Sequence, residues 1–175
     1  RDTPLTEVAR AIMDAYTNSA AVVDEDGVLQ GGVLFSELFP VLISRRNIPG
    51  RVGDVMTREP VTCAPEEPIH KIYSLIVSSG FIAFPVVQKD EVIGIISRRD
   101  LLRAGNVRIS VKNQADTTVD RVMTTPVVSV TPDDQVATAA RLMVDHDISI
   151  LPVIDERKRI VGIIDRHDVS SCLIP

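Results

Sequence analysis

The chain has 175 residues, 45% hydrophobic and 3% aromatic, with no tryptophan and a formal net charge of −5; that length allows one or two compact domains with an aliphatic core. The acidic balance argues against a phosphate-tracking nucleic-acid binder, no apolar run reaches the roughly 18 residues a membrane span needs, and no signal-peptide pattern opens the chain. Cys63 and Cys172 lack metal-ligand spacing and read as reduced thiols of a cytoplasmic protein rather than as a disulfide.

Taken in order, the chain opens on Thr3-Pro4, a helix-start signal, followed by Leu5, Val8, Ala9, Ile12 and Met13 at helical spacing. An apolar strand at 20–23, the polar turn Asp24-Glu25-Asp26-Gly27 and a second strand through Gly31 and Gly32 predict a hairpin that leads into Ser36-Glu37. Residues 39–52, with Pro40, Arg45-Arg46 and Pro49-Gly50, read as an exposed connector. The lead-in Val55-Met56-Thr57 and a small strand at 60–63 come next, then a helix stripe of Ile69, Ile72, Tyr73, Ile76 and Val77. A hairpin of 83–87 and the glycine-bearing strand Glu91-Val92-Ile93-Gly94-Ile95-Ile96 runs into Ser97-Arg98-Arg99-Asp100. Residues 105–118 read as a second polar connector. The pattern then returns as Val122-Met123-Thr124, a strand at 127–130 and Thr131-Pro132-Asp133-Asp134, whose Thr, Pro and acids predict an N-cap and first turn. It ends with the stripe Val136, Ala139, Ala140, Met143 and Val144, a strand at 150–154 and Ile160-Val161-Gly162-Ile163-Ile164-Asp165-Arg166-His167-Asp168.

The three passages keep register. Met123-Thr124 aligns with Met56-Thr57, Pro152 with Pro85, Gly162 with both Gly94 and Gly31, and Asp155 with Asp24. The chain is therefore an internal repeat of a β-α-β-β-α unit. Residues 52–105 and 119–175 are full copies, and 1–44 is a copy without its opening strand, which points to a fragment or an incomplete unit. The expected fold is α/β, with copies two and three paired about a pseudo-twofold axis and their helical faces outward. The first copy lacks a strand, and its open edge and apolar helix face call for cover from another chain or from further residues.

The Val-Met-Thr lead-in, the Pro-Val strand and Gly94-Ile95-Ile96-Ser97-Arg98-Arg99-Asp100 resemble CBS domains, units named after cystathionine β-synthase. The resemblance covers nearly the whole chain. It implies two clefts between paired units that bind adenosine compounds of the AMP, ADP, ATP or S-adenosylmethionine class as effectors, with no catalytic cofactor. It also implies roles for single residues. Gly94 lets the strand pass close to the ligand, Ser97 meets a phosphate, and Asp100 accepts the ribose hydroxyls. Adenine, with so few aromatic residues available, lies against backbone and aliphatic groups: Val61, Thr62, Cys63, Ile82 and Ala83 in copy two, and Val128, Ser129, Val130, Ser149 and Ile150 in copy three. Copy three keeps Gly162 and Asp168, but Asp165 stands at the phosphate position, where it repels a phosphate unless Arg166, His167 or a metal ion offsets it. Copy one, with Leu34 and Glu37 at these positions, reads as structural.

The residues admit a plainer account as well. Ser97 and Asp100 are spaced as a capping box, and the repeated glycines suit a bulge or close strand packing. Arg98 and Arg99 shift the balance, since two cations in a first helical turn oppose the helix dipole by about 0.3–1 kcal/mol each and call for a counter-anion. Four functions are open: a ligand-sensing regulatory module acting as a homodimer, a dimerisation scaffold with vestigial clefts, a divalent-cation sensor built on Asp145, Asp147, Asp165 and Asp168, and an enzyme. The last ranks lowest, because His70, His146 and His167 stand in three different contexts with no nucleophile–base pair and no phosphate-binding glycine loop.

Overall fold

The computed structural model describes residues 3–15, 17–44, 47–106 and 117–173. Arg45-Arg46, most of the second connector (107–116) and the chain ends at 1–2 and 174–175 lie outside the described residues. The elements run α1 Leu5–Asp14, β1 Ser19–Val23, β2 Leu29–Leu34, α2 Phe35–Ser44, α3 Val52–Val55, β3 Thr57–Arg58, α4 Ile69–Ser79, β4 Ala83–Gln88, β5 Glu91–Ser97, α5 Arg98–Asn106, a 3-10 turn Val119–Arg121, α6 Val136–Asp145, β6 Ile150–Ile154, β7 Ile160–Asp165 and α7 Arg166–Leu173.

The helices and hairpins form where apolar periodicity puts them, with three corrections. The first concerns the opening strands at 60–63 and 127–130, each of which is reduced to one parallel bridge, Cys63 to Val86 and Val130 to Val153. Pro60 and Pro126 cannot donate to a ladder, and the antiparallel pairing falls to Thr57, Arg58 and Thr124 just before them. The second concerns the stretch from Phe39, which belongs to α2 despite Pro40. Phe35, Leu38, Phe39 and Leu42 are all buried, and at about 1.5–3 kcal/mol each they outweigh the ~3 kcal/mol of an internal proline. The third concerns the helix starts. Thr131-Pro132-Asp133-Asp134 forms a turn ahead of α6, which begins at Val136 after Gln135, and α1 begins after Pro4 with no side-chain cap.

What starts α4 and α6 is main chain from the connectors. Ile69 N–H donates to Thr117 O (3.0 Å) and Val136 N–H to Gly50 O (3.1 Å), and the bridges Pro68 to Thr118 and Arg51 to Gln135 flank them. Each full copy's helix is thus capped by the residues that lead into the other copy. The first connector is not simply exposed, since Ile48 and Val52 are buried.

The chain divides into two compact units, one of residues 56–132 and 150–164, the other of 1–55, 133–149 and 165–175. The third copy is shared, with its strands in the former and its helices in the latter. In the unit holding β3 to β7, the hairpins β4/β5 and β6/β7 exchange lead-ins: Thr57 and Arg58 pair with Ile163 and Gly162, and Thr124 bridges Ile95. These pairings are repeat equivalents of one another, so copies two and three form one pair about a pseudo-twofold axis. One apolar cluster of its core is Cys63, Ile69, Ile72, Ile76, Phe84, Val86, Ile96, Leu101 and Val119.

The exchange explains the glycines. A Cβ on Gly94 would stand 2.5 Å from Met123 Sδ, and one on Gly162 would stand 2.6 Å from Met56 Sδ and 2.9 Å from Thr57 O. Each glycine makes room for the other copy's lead-in methionine, as the close-packing account expects. At Gly31 nothing lies within 4 Å.

In the second unit, α2 packs on α1, α6 and α7, and Ala9, Phe39, Ala140 and Ser170 are completely buried. The hairpin β1/β2 remains open, with Val23, Val28, Leu29 and Leu34 exposed.

Candidate functional site

All three strand-to-helix junctions use one device. The fourth-position carboxylate accepts a backbone N–H from the last strand residue: Leu34 to Glu37 (3.3 Å), Ser97 to Asp100 (2.8 Å) and Asp165 to Asp168 (2.9 Å). Asp100 and Asp168 return the bond through their own N–H groups, to Ser97 Oγ (3.3 Å) and Asp165 Oδ1 (2.9 Å). The capping box is therefore complete in copies two and three, while copy one, whose Leu34 has no side-chain oxygen, keeps only its carboxylate half.

The copy-two junction carries more than a cap. Asp100 is 8% exposed, and each of its carboxylate oxygens holds a hydroxyl: Ser97 Oγ donates to Oδ2 (2.5 Å) and Thr124 Oγ1 to Oδ1 (3.1 Å). Thr124 comes from the lead-in of copy three, so the carboxylate sits on the seam between copies. Ala83 pairs with Ser97, and Arg98 N–H donates to Ile82 O (2.9 Å). Ile82, Ala83, Ser97, Arg98, Asp100 and Thr124 are brought together, with Arg98 and Arg99 exposed at the first turn of α5. Thr124 had a legible signal, its place in the repeated Val-Met-Thr, but its partner lies across the pair and only the strand exchange reveals it.

Other expected site residues are placed differently. Cys63 is buried, hydrogen-bonds Pro85 through its backbone N–H (3.1 Å), and has its thiol pushed up to about 12 by burial and, secondarily, by Glu67. It is an inert core thiol. Val130 and Ile150 are buried, Val128, Ser129 and Ser149 half-buried, and Val61 exposed. Arg166 is drawn into the core of its own unit: its guanidinium lies 5.3 Å from the centre of the Phe39 ring and donates to Met143 O (3.4 Å), at the C-terminal end of α6, with Asp147 3.7 Å away. His167 is exposed. Asp168 is pushed up to about 6, first by burial and then by the facing charge of Asp165. Among the described residues no group of three or more His, Cys, Asp or Glu side chains is arranged to hold a metal ion.

A cleft of about 410 Å³ opens between the two full copies, lined by Arg58, Glu59, Pro60 and Thr62 from copy two and Ile160 and Val161 from copy three. Of the expected residues only Thr62 reaches it. The others follow from the exchange of β3 onto β7, which places Arg58 opposite Gly162. The cleft lies at the start of β7, and Asp165 at its end.

A family model described as CBS domain matches residues 52–106 and 119–174. The uncharacterized protein MJ1225 of Methanocaldococcus jannaschii is 25% identical over 94% of this chain and 62% of its own length. Its crystal structure superposes with a TM-score of 0.85 at 23% identity, covering 97% of this chain and 64% of that one. A homoserine O-acetyltransferase of Methanosalsum zhilinae is 32% identical over 70% of this chain but only 24% of its own. The chain thus spans between a quarter and about three-fifths of the length of these curated relatives. The CBS domain pair of protein MJ0100, solved in complex with 5′-methylthioadenosine and S-adenosyl-L-methionine, is 26% identical over 70% of this chain and 98% of that one, with a TM-score of 0.61.

Proposed function

The chain belongs to the CBS domain family, and we propose that it is a regulatory ligand-sensing module, without chemistry of its own, that binds an adenosine-type ligand at the seam between copies two and three and works as a homodimer. The observation that carries this reading is the pair of hydroxyls on Asp100, one per carboxylate oxygen, from Ser97 and Thr124. A ribose cis-diol offers the same two donors to the same two oxygens. Such a diol would displace Thr124 and loosen the lead-in of copy three from β5, so occupancy is coupled to how the pair is held. Arg98 and Arg99 supply the counter-charge for a phosphate, and the MJ0100 pair, which carries adenosine compounds, supports the ligand class.

A scaffold with vestigial clefts is favoured by one observation: Glu37 makes the same cap in copy one, where no serine accompanies it. Calorimetric titration with adenosine, AMP, ADP, ATP and S-adenosylmethionine separates the two. Hydrogen bonds to charged groups contribute about 1.5–3 kcal/mol, so Asp100→Ala should weaken AMP binding roughly ten- to hundredfold. Arg98→Ala and Arg99→Ala should weaken AMP more than adenosine, and Asp168→Ala should matter less. Absence of binding by every nucleotide, or equal losses from Asp100→Ala and Asp168→Ala, would leave only the scaffold.

A further inference from the structure

The two oxygens of the Asp100 carboxylate are held in unlike ways. Oδ2 accepts both the backbone N–H (2.8 Å) and the hydroxyl (2.5 Å) of Ser97, so it is fixed by the cap of α5. Oδ1 accepts the Thr124 hydroxyl at 3.1 Å, from 24 residues along the chain. A carboxylate oxygen takes about two hydrogen bonds, which fills Oδ2 and makes Oδ1 the oxygen an incoming hydroxyl reaches. Thr124 is exposed and Ser97 half-buried. When displaced, the threonine hydroxyl passes to water, whereas freeing the serine hydroxyl would leave a polar group poorly satisfied. The segment carrying Thr124 is also held unevenly. Its start is anchored on α4: Ile69 N–H donates to Thr117 O (3.0 Å), Val119 N–H to Glu67 O (2.9 Å) and Asp120 N–H to Pro65 O (3.0 Å), and Val119 is completely buried. Its end rests on β5 through Thr124 N–H to Ile95 O (2.8 Å) and Ile95 N–H to Thr124 O (3.1 Å), with Met123 over Gly94. The Thr124 hydroxyl ties that same end down from the side chain.

We propose that Thr124 is an affinity-setting residue: it stands in for a ligand hydroxyl on Asp100 Oδ1, and a ligand must displace it, which releases residues 122–124 from β5 while 117–120 stay anchored on α4. The inference rests on the adenosine-type reading above and adds to it a magnitude and a direction. The magnitude is a tax on affinity. Every wild-type chain has its Oδ1 already occupied, so the ligand's gain is reduced by the bond it breaks, and removing the competitor removes the tax. The direction is toward loosening. Ligand and Thr124 compete for one oxygen, so by linkage occupancy weakens the hold of the copy-three lead-in on β5, whereas a ligand that merely filled a gap would tighten its surroundings. Because the hydroxyl competes with ribose and not with phosphate, adenosine and AMP carry the same tax.

Calorimetric titration of the full chain with adenosine and with AMP tests this. Thr124→Val, which keeps the shape and removes the hydroxyl, should bind both roughly tenfold tighter, as a hydrogen bond to a charged group implies. Thr124→Ser, which keeps the hydroxyl, should bind as the wild type does. Amide hydrogen exchange of the wild-type chain supplies a second readout that does not depend on how well a variant folds. Saturation with AMP should speed exchange at Ile95 and Thr124 and leave Ile69 and Val119 protected. Thr124→Val binding no tighter than wild type, or AMP slowing exchange at Ile95 and Thr124, overturns the competitor role and leaves the ligand reading standing. Failure of both the wild type and Thr124→Val to bind either probe overturns the ligand reading and this inference with it.

Discussion

At Gly94 and Gly162 the difference between hydrogen and a methyl group is decided by what stands opposite. A methyl on Gly162 would meet the backbone oxygen of Thr57 at 2.9 Å as well as the Met56 sulfur, whereas on Gly94 the nearest backbone oxygen, that of Thr124, is 3.3 Å away and the closest atoms belong to the flexible Met123 side chain. Gly162→Ala should therefore cost about 1–3 kcal/mol, as overpacking does, and Gly94→Ala less. Gly31→Ala, with open space around it, should be neutral or slightly stabilising, since alanine loses less chain entropy in a strand. Denaturant midpoints of the three variants test this order. If Gly31→Ala were as damaging as Gly162→Ala, the glycines would serve some purpose other than admitting the exchanged methionine.

Among the elements, α7 shows how a residue that looks made for an anion becomes part of the framework. Arg166 occupies the same repeat position as Arg98, yet Phe39 of α2 and the carbonyl end of α6 lie within its reach. A cation at a helix C-terminus contributes about 0.3–1 kcal/mol, and a desolvated cation–π contact up to about 2 kcal/mol. Arg166→Ala should lower stability by about 1–3 kcal/mol and leave nucleotide affinity unchanged. A loss of AMP affinity without a loss in melting temperature would return Arg166 to the binding set.

For the chain as a whole, Asp168 sets a pH dependence of unusual sign. Its folded-state value is raised from 3.8 to about 6, so the folded protein holds this proton more tightly than the unfolded chain. The stability linked to it is complete below the unfolded value and is lost as pH rises through about 6. Glu67, held low by its hydrogen bond to Lys71, acts in the opposite sense, and its contribution is lost on acidification. Asp165→Ser keeps a capping oxygen and removes the neighbouring charge. It should raise the melting temperature at pH 7 relative to wild type, with the gain shrinking toward pH 4. A gain that is independent of pH would mean that repulsion between Asp165 and Asp168 is not its source.

By itself the sequence determined the repeat, its register, the helices, the hairpins and the family, because these rest on periodicities written along the chain. The apolar stripes predict which helix faces are buried, and Ile72, Ile76, Ala139 and Met143 follow them. Tyr73 and Val77 do not, because burial at those positions requires a second surface that local spacing cannot supply. The tertiary structure alone decided what the glycines face, what caps α4 and α6, and whether Arg166 stays near a cleft. In each case the partner lies outside the residue's own copy: Met123 for Gly94, Thr117 for Ile69, Phe39 for Arg166. The capping box and the ligand motif share Ser97 and Asp100, so the local pattern could not separate them. Thr124, reaching Asp100 from across the pair, is what gives that carboxylate a second hydroxyl and ties it to the neighbouring copy.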